Sequence, residues 1–201
     1  MSNFTIHTIE SAPEKSKTQL EEGVKAMGMI PNLHGTLAES PELYKAYTTL
    51  HALFMETSFD KDELTVVWQT INVEHSCHYC VPAHSMIANS MQVDPAITEA
   101  LRNETPLPSE KLEALRTATL LLVRNRGHLT QSEMDTFFAA GYAQKQILEI
   151  VFSTMVDMSR KPIFLERNAS RAVSFAALNA APDIPPKDIT SYARLIAGKR
   201  F

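Results

Sequence analysis

Cysteine is scarce in this chain, at two of 201 residues, which excludes a scaffold stapled by several disulfides. Glycine is also sparse, at six residues, and none falls in a G-x-G-x-x-G or G-x-x-x-x-G-K spacing. No backbone cradle for phosphate groups is therefore expected, and no nucleotide, flavin or haem cofactor is implied. Excess positive charge is missing. With a formal net charge of −4 and a pI of about 6.0, the chain has no basic field to attract a nucleic-acid backbone. The longest apolar runs, such as residues 120–123, fall far short of the roughly 20 residues a membrane helix needs. Residues 1–10 lack the basic start and apolar segment of a secretory signal, so a cytoplasmic location is expected. Period-two alternation between hairpin turns is absent as well, which argues against a sheet.

What is present reads as helix. At 22.4 kDa with 44% hydrophobic and 21% charged residues, the chain can bury one good core, or a core plus a subunit interface. A single all-α domain over 1–201 is expected, with its core over about 29–171. Start signals recur along it: Ser11 with Glu14 opens a helix to about Lys25, and Ser40-Pro41-Glu42 opens one to about Met55. Asp60 caps a helix over 61–74 whose Leu64, Val67, Trp68 and Ile71 form a core-facing stripe. Asp94-Pro95 starts a helix to about Arg102, residues 106–109 form a loop, and a long helix over 110–125 ends before Gly127. Thr130 with Glu133 is a capping box, and Gly141 closes that helix. The next, over 143–160, places Ile147, Ile150, Val151 and Met155 on one face and is stopped or kinked at Pro162. Met27, Met29, Met55, Met86, Met91, Met134, Met155 and Met158 read as core filler. Residues 180–187 read as an extended linker to a short helix near 191–197. An echo at an offset near fifty residues, with 88–101 resembling 139–151, points to an internal pseudo-repeat.

The chemistry concentrates in His75-Ser76-Cys77-His78-Tyr79-Cys80-Val81-Pro82-Ala83-His84, which holds both cysteines. A pair at this spacing can close a small disulfide, bind a soft metal, or activate one thiol through the other. In a reducing compartment so short a disulfide loop is labile and adds little stability, which favours redox work over structural bridging. Ser76 can cap a helix carrying the cysteines in its first turn, where free amides and the helix dipole favour a thiolate. An ordinary thiol with a pKa near 8.5 is only about 3% ionised at pH 7. Lowering that value to about 6.5 makes roughly three quarters reactive, at about 2.7 kcal/mol. Pro82 limits this reading, because it would occupy the sixth position of a helix begun at Cys77. The helix therefore starts nearer Tyr79, or its opening turn is distorted. His84 follows Cys80 by four positions and Cys77 by seven, so the three share a face once helical, and proton transfer is geometrically open. His75 and His78 are weaker candidates. Glu74 can orient His84, accept the thiol proton, or simply end the preceding helix in solvent.

The pattern Asn72-x4-Cys77-x-Tyr79-Cys80-x3-His84, preceded by Met29-Ile30-Pro31-Asn32 and Ser40-Pro41-Glu42-Leu43, resembles the alkylhydroperoxidase D and carboxymuconolactone decarboxylase family over about residues 29–171. The resemblance implies an all-α, homo-oligomeric protein, often a trimer or hexamer. It also implies hydroperoxide reduction through the Cys-x-x-Cys pair, with a histidine and a glutamate relaying protons. Carried across, Cys80 is the peroxide-reactive thiol, Cys77 its disulfide partner and His84 the relay, while the helix-terminus argument favours Cys77 as the more acidic thiol. A dithiol donor, a lipoyl group or a thioredoxin-like protein, restores the pair. Two departures stand out. The family's relay glutamate, twelve residues before the first cysteine, is Thr65 here; Glu63 lies on another face of that helix, leaving Glu74 as the substitute. Tyr79 replaces the second histidine of alkylhydroperoxidase D itself, which shifts the likeness toward the broader family.

Three other readings stay open. His75, Cys77, Cys80 and His84 can be written as a zinc set, although structural zinc normally joins two separated pairs. Lactone decarboxylation is the family's other named activity, in members that generally lack the cysteine pair. A non-catalytic oligomeric helical module is the third, favoured by Thr65.

Overall fold

In the computed structural model, which describes residues 4–158, the signals above mature into nine helices and no strand among the described residues. They are α1 Glu14–Met27, α2 Asn32–Leu37, α3 Pro41–Met55, α4 Lys61–Glu74, α5 Cys80–Ser90, α6 Pro95–Arg102, α7 Glu110–Arg124, α8 Gln131–Ala139 and α9 Gln144–Met158. Pro162, the linker over 180–187, the helix near 191–197 and the far end of the expected core lie outside the described residues.

Local chemistry explains most of the boundaries. Asp60 accepts from the amides of Asp62 and Glu63 while Glu63 returns a bond to the Asp60 amide, and Thr130 and Glu133 repeat this reciprocal box at α8. Asp94 with Pro95 opens α6, and Ser109 caps α7. At α1 the expected cap is displaced: Pro13 precedes the helix, and the Ser11 hydroxyl instead accepts from the Thr8 amide at 3.0 Å. The proline presets the helical entry, leaving Ser11 to the preceding turn.

The described residues fall into two compact units, divided between Leu53 and Phe54. In the first, Gly35 brings α2 against the amino-terminal segment, since a Cβ there would stand 2.8 Å from the His7 carbonyl oxygen. The buried Ser16 hydroxyl donates to the Ala38 carbonyl at 2.7 Å and so ties α1 to the end of α2.

In the second unit, Phe54–Met158, α4 is central: it packs against α5, α6, α7 and α9. Every residue from Glu63 to Asn72 is buried, which is what a helix enclosed on all sides requires. Trp68, Leu101, Leu115, Leu122, Phe137 and Ile150 lie in its core. Burying each such side chain contributes about 1.5–3 kcal/mol.

Two expectations need correction. Met29, Met86 and Met155 are exposed rather than core filler. On α9 the buried positions include Glu149, Ile150 and Ser153, while Met155 points outward, because Glu149 turns inward to accept from the Ser58 amide at 3.0 Å and from the Ser58 hydroxyl.

Candidate functional site

The carboxyl end of α4 delivers the first cysteine. Ser76 adopts a left-handed φ of 49°, its amide donates to Val73 at 2.8 Å, and the Cys77 amide donates to Asn72 at 3.0 Å. This paired pattern is a Schellman turn, in which Ser76 takes the position usually held by glycine. Ser76 therefore terminates α4 instead of capping α5, contrary to the sequence reading.

The turn places Cys77 before α5, whose first residue is Cys80. The start near Tyr79 was one of the two expected outcomes, but Cys77 is not within the helix, so only Cys80 and His84 share its face. All four opening positions of α5 are accounted for. The Cys80 amide donates to Cys77 Sγ at 3.1 Å, the Val81 amide to the Cys77 carbonyl at 3.1 Å, and the Ala83 amide to the Tyr79 carbonyl at 3.2 Å. Pro82, with no N–H, fills the remaining place. Its missing donor is harmless there.

Cys77 and Cys80 are joined in a disulfide with Cα atoms 5.2 Å apart. Cys80 is buried and Cys77 only half-buried. His84, one turn beyond Cys80, is buried with its ring centroid 5.0 Å from that of Trp68. Trp68, read from the sequence as plain core, thus also forms a wall for the imidazole. His78 is exposed and His75 half-buried. Among the described residues no group of three His, Cys, Asp or Glu side chains is arranged to hold a metal ion.

Glu74 faces another partner. Arg124 grips it bidentately, with Nε donating to Oε1 at 2.8 Å and Nη2 to Oε2 at 2.7 Å. These hydrogen bonds hold the Glu74 carboxyl below its ordinary range. Thr65, at the family's relay position, donates its hydroxyl to the Lys61 carbonyl at 2.8 Å, and Glu63 is taken up by its capping box and by Lys111 at 2.8 Å.

Sequence reasoning missed the buried amide of Gln69, and it quoted Asn72 only as the first residue of the motif, with no role. Gln69 Nε2 donates to the Val81 carbonyl and to Ser85 Oγ, each at 3.0 Å, and its Oε1 accepts from Asn72 Nδ2 at 3.2 Å. The available signal was two side-chain amides three positions apart on the helix that carries the apolar stripe of Leu64, Val67, Trp68 and Ile71. Arg124, fifty residues from Glu74 in sequence, left no such signal.

Fold and site together define a helical protein with a paired-cysteine centre at a helix start. The fold is similar to that of an alkylhydroperoxidase AhpD core, an uncharacterized peroxidase-related protein from Ralstonia eutropha JMP134. The TM-score is 0.71 at 15% identity, over 85% of this chain and 96% of that one. An uncharacterized peroxidase-related protein from Silicibacter sp. TM1040 is similar at a TM-score of 0.67 and 17% identity, again over 85% and 96% of the two chains. No family model and no curated protein matches the chain. The chain has the AhpD-like all-α fold that the resemblance implied.

Proposed function

We propose that the protein is a thiol-dependent peroxidase whose Cys77–Cys80 pair cycles between dithiol and disulfide. The observation that carries this reading is the placement of the pair: a half-buried Cys77 whose sulfur accepts the Cys80 amide, and a buried Cys80 one turn before His84. The peroxidase-related names of the structural neighbours agree with it.

In the proposed cycle the Cys80 thiolate attacks the terminal oxygen of a hydroperoxide, the O–O bond breaks, and an alcohol leaves after taking a proton relayed by His84. Cys80 becomes a sulfenic acid. The Cys77 thiolate, favoured by the Cys80 amide and the helix terminus, attacks that sulfur; the S–S bond forms and hydroxide departs as water after protonation. A dithiol reductant, a lipoyl group or a thioredoxin-like protein, then attacks the sulfur of Cys77, the less buried of the two residues, and expels Cys80 as a thiolate one turn from His84. The second thiol of the donor resolves the mixed disulfide, returning two electrons to the pair. Glu74, held by Arg124, anchors the end of α4 as a fixed carboxylate. The cycle requires no cofactor from this chain and would run as a homo-oligomer in the cytoplasm, where such donors are kept reduced.

The test is a thiol count with intact mass on fully reduced protein before and after one equivalent of cumene hydroperoxide. Loss of both thiols with a mass decrease of about two hydrogens is expected from the chemistry of disulfide formation. Untouched thiols would end the proposal. Cys77→Ser should trap a dimedone-reactive sulfenic acid on Cys80, and Cys80→Ser should consume no peroxide; the opposite pattern would exchange the two roles.

A further inference from the structure

We propose that Gln69 is the positioning residue of the cysteine pair: it fixes the opening turn of α5 against α4 and thereby sets the redox equilibrium of Cys77 and Cys80. The inference rests on the reading that the pair cycles between dithiol and disulfide. Gln69 is fully buried, and its amide nitrogen donates to the Val81 carbonyl and to Ser85 Oγ. Ser85 Oγ itself donates to the same Val81 carbonyl at 2.9 Å, which closes a small polar triangle. On the other side Gln69 Oε1 accepts from Asn72, whose carbonyl accepts the Cys77 amide at 3.0 Å.

A continuous chain of hydrogen bonds thus runs from the amide of Cys77 through Asn72 and Gln69 to Val81 and Ser85. Those last two residues directly follow Cys80 and His84 in sequence. Hydrogen bonding falls off steeply with misalignment, so the lattice fixes how α5 is rotated about its own axis. That rotation aims the Cys80 amide at Cys77 Sγ, at 3.1 Å. The bond matters most in the reduced protein, because an ionised acceptor roughly doubles the strength of a hydrogen bond. An apolar side chain of the same volume could fill the space but would leave Asn72 Nδ2 without the Gln69 acceptor. What the amide adds is direction.

The test uses the whole chain equilibrated with mixtures of reduced and oxidised dithiothreitol. Each dithiothreitol gives two electrons and two protons to the disulfide and leaves as its cyclic disulfide. The dithiol fraction is read by alkylation and intact mass, and the thiolate by its ultraviolet absorbance across pH, for wild type, Gln69→Met and Ser85→Ala. For Gln69→Met the equilibrium should move about tenfold toward the disulfide, about 30 mV for a two-electron couple. The more acidic thiol should then titrate about one pH unit higher. Ser85→Ala should move both readouts the same way by less. A folded Gln69→Met protein with wild-type equilibrium and titration overturns the proposal; if that variant does not fold, an unshifted Ser85→Ala protein does so. If the wild-type pair equilibrates with dithiothreitol but ignores hydroperoxide, the peroxidase reading falls. In that case the shift in Gln69→Met still supports the positioning role, and its absence still overturns it.

Discussion

At the scale of single residues, the carboxylates of this site are sorted by what they touch. A proton carrier needs a partner with which to exchange protons and a pKa near the working pH. Glu74 has instead a guanidinium on both oxygens and a carboxyl pushed away from neutrality, in the direction that keeps it charged. Because its folded pKa is lowered, its contribution to stability is present above the ordinary carboxylate range and is lost as acid protonates it. Glu74→Gln is expected to slow peroxide consumption less than about tenfold, whereas removing a general base typically costs 10²–10⁴-fold. His84→Asn, which removes the imidazole one turn from Cys80, should fall in that larger range. Stopped-flow consumption of cumene hydroperoxide by both variants decides the matter, and a collapse of the Glu74→Gln rate would restore the carboxylate to the relay.

At the scale of elements, the turn between α4 and α5 carries a conformation its residue dislikes. A left-handed φ at Ser76 costs about 1–2 kcal/mol for a residue with a Cβ, and glycine escapes most of it at some cost in unfolded-chain entropy. Ser76→Gly should therefore stabilise the protein by about 0.5–1 kcal/mol in urea unfolding while leaving the thiol chemistry in place. Asp60→Ala, which breaks the reciprocal box at the start of α4, should destabilise it by about 1 kcal/mol. These two residues also mark how far the sequence can be read. Asp60, Thr130 and Asp94-Pro95 were legible because a cap is decided by bonds within four residues of itself. Ser76 was not, because serine serves equally at the start of one helix or in the turn ending another, and the path of the chain decides. The six-residue α2 is too short to show a period. The cysteine pair and His84 were legible as a motif, but Gln69 acquires its meaning only when α5 is laid along α4, and Arg124 only when α7 is brought to the end of α4.

At the scale of the whole molecule, acid stability is expected to depend on a group outside the cysteine site. In the first unit His34 lies in a recess of about 190 Å³ lined by Gly23, Tyr44 and Tyr47, with its Nδ1 3.1 Å from the Tyr44 hydroxyl. Burial pushes the imidazole down to about 4 and the Tyr44 hydroxyl upward, so both are neutral at pH 7. The sign follows from proton counting. Between about pH 6.5, where an unfolded histidine titrates, and pH 4, the unfolded chain binds a proton that the folded chain refuses. Stability therefore falls as the pH falls through that window, by about 2 kcal/mol at pH 5. The other ionisable groups are common to both proteins, so the informative quantity is a difference. Urea midpoints for wild type and His34→Asn, which keeps an acceptor near Nδ1, should converge as the pH drops from 7.5 to 5, because only the wild type loses the His34 contribution. Parallel lines across that range would mean that the recess admits the proton after all, and that the neutral His34–Tyr44 pair is not what makes the fold sensitive to acid.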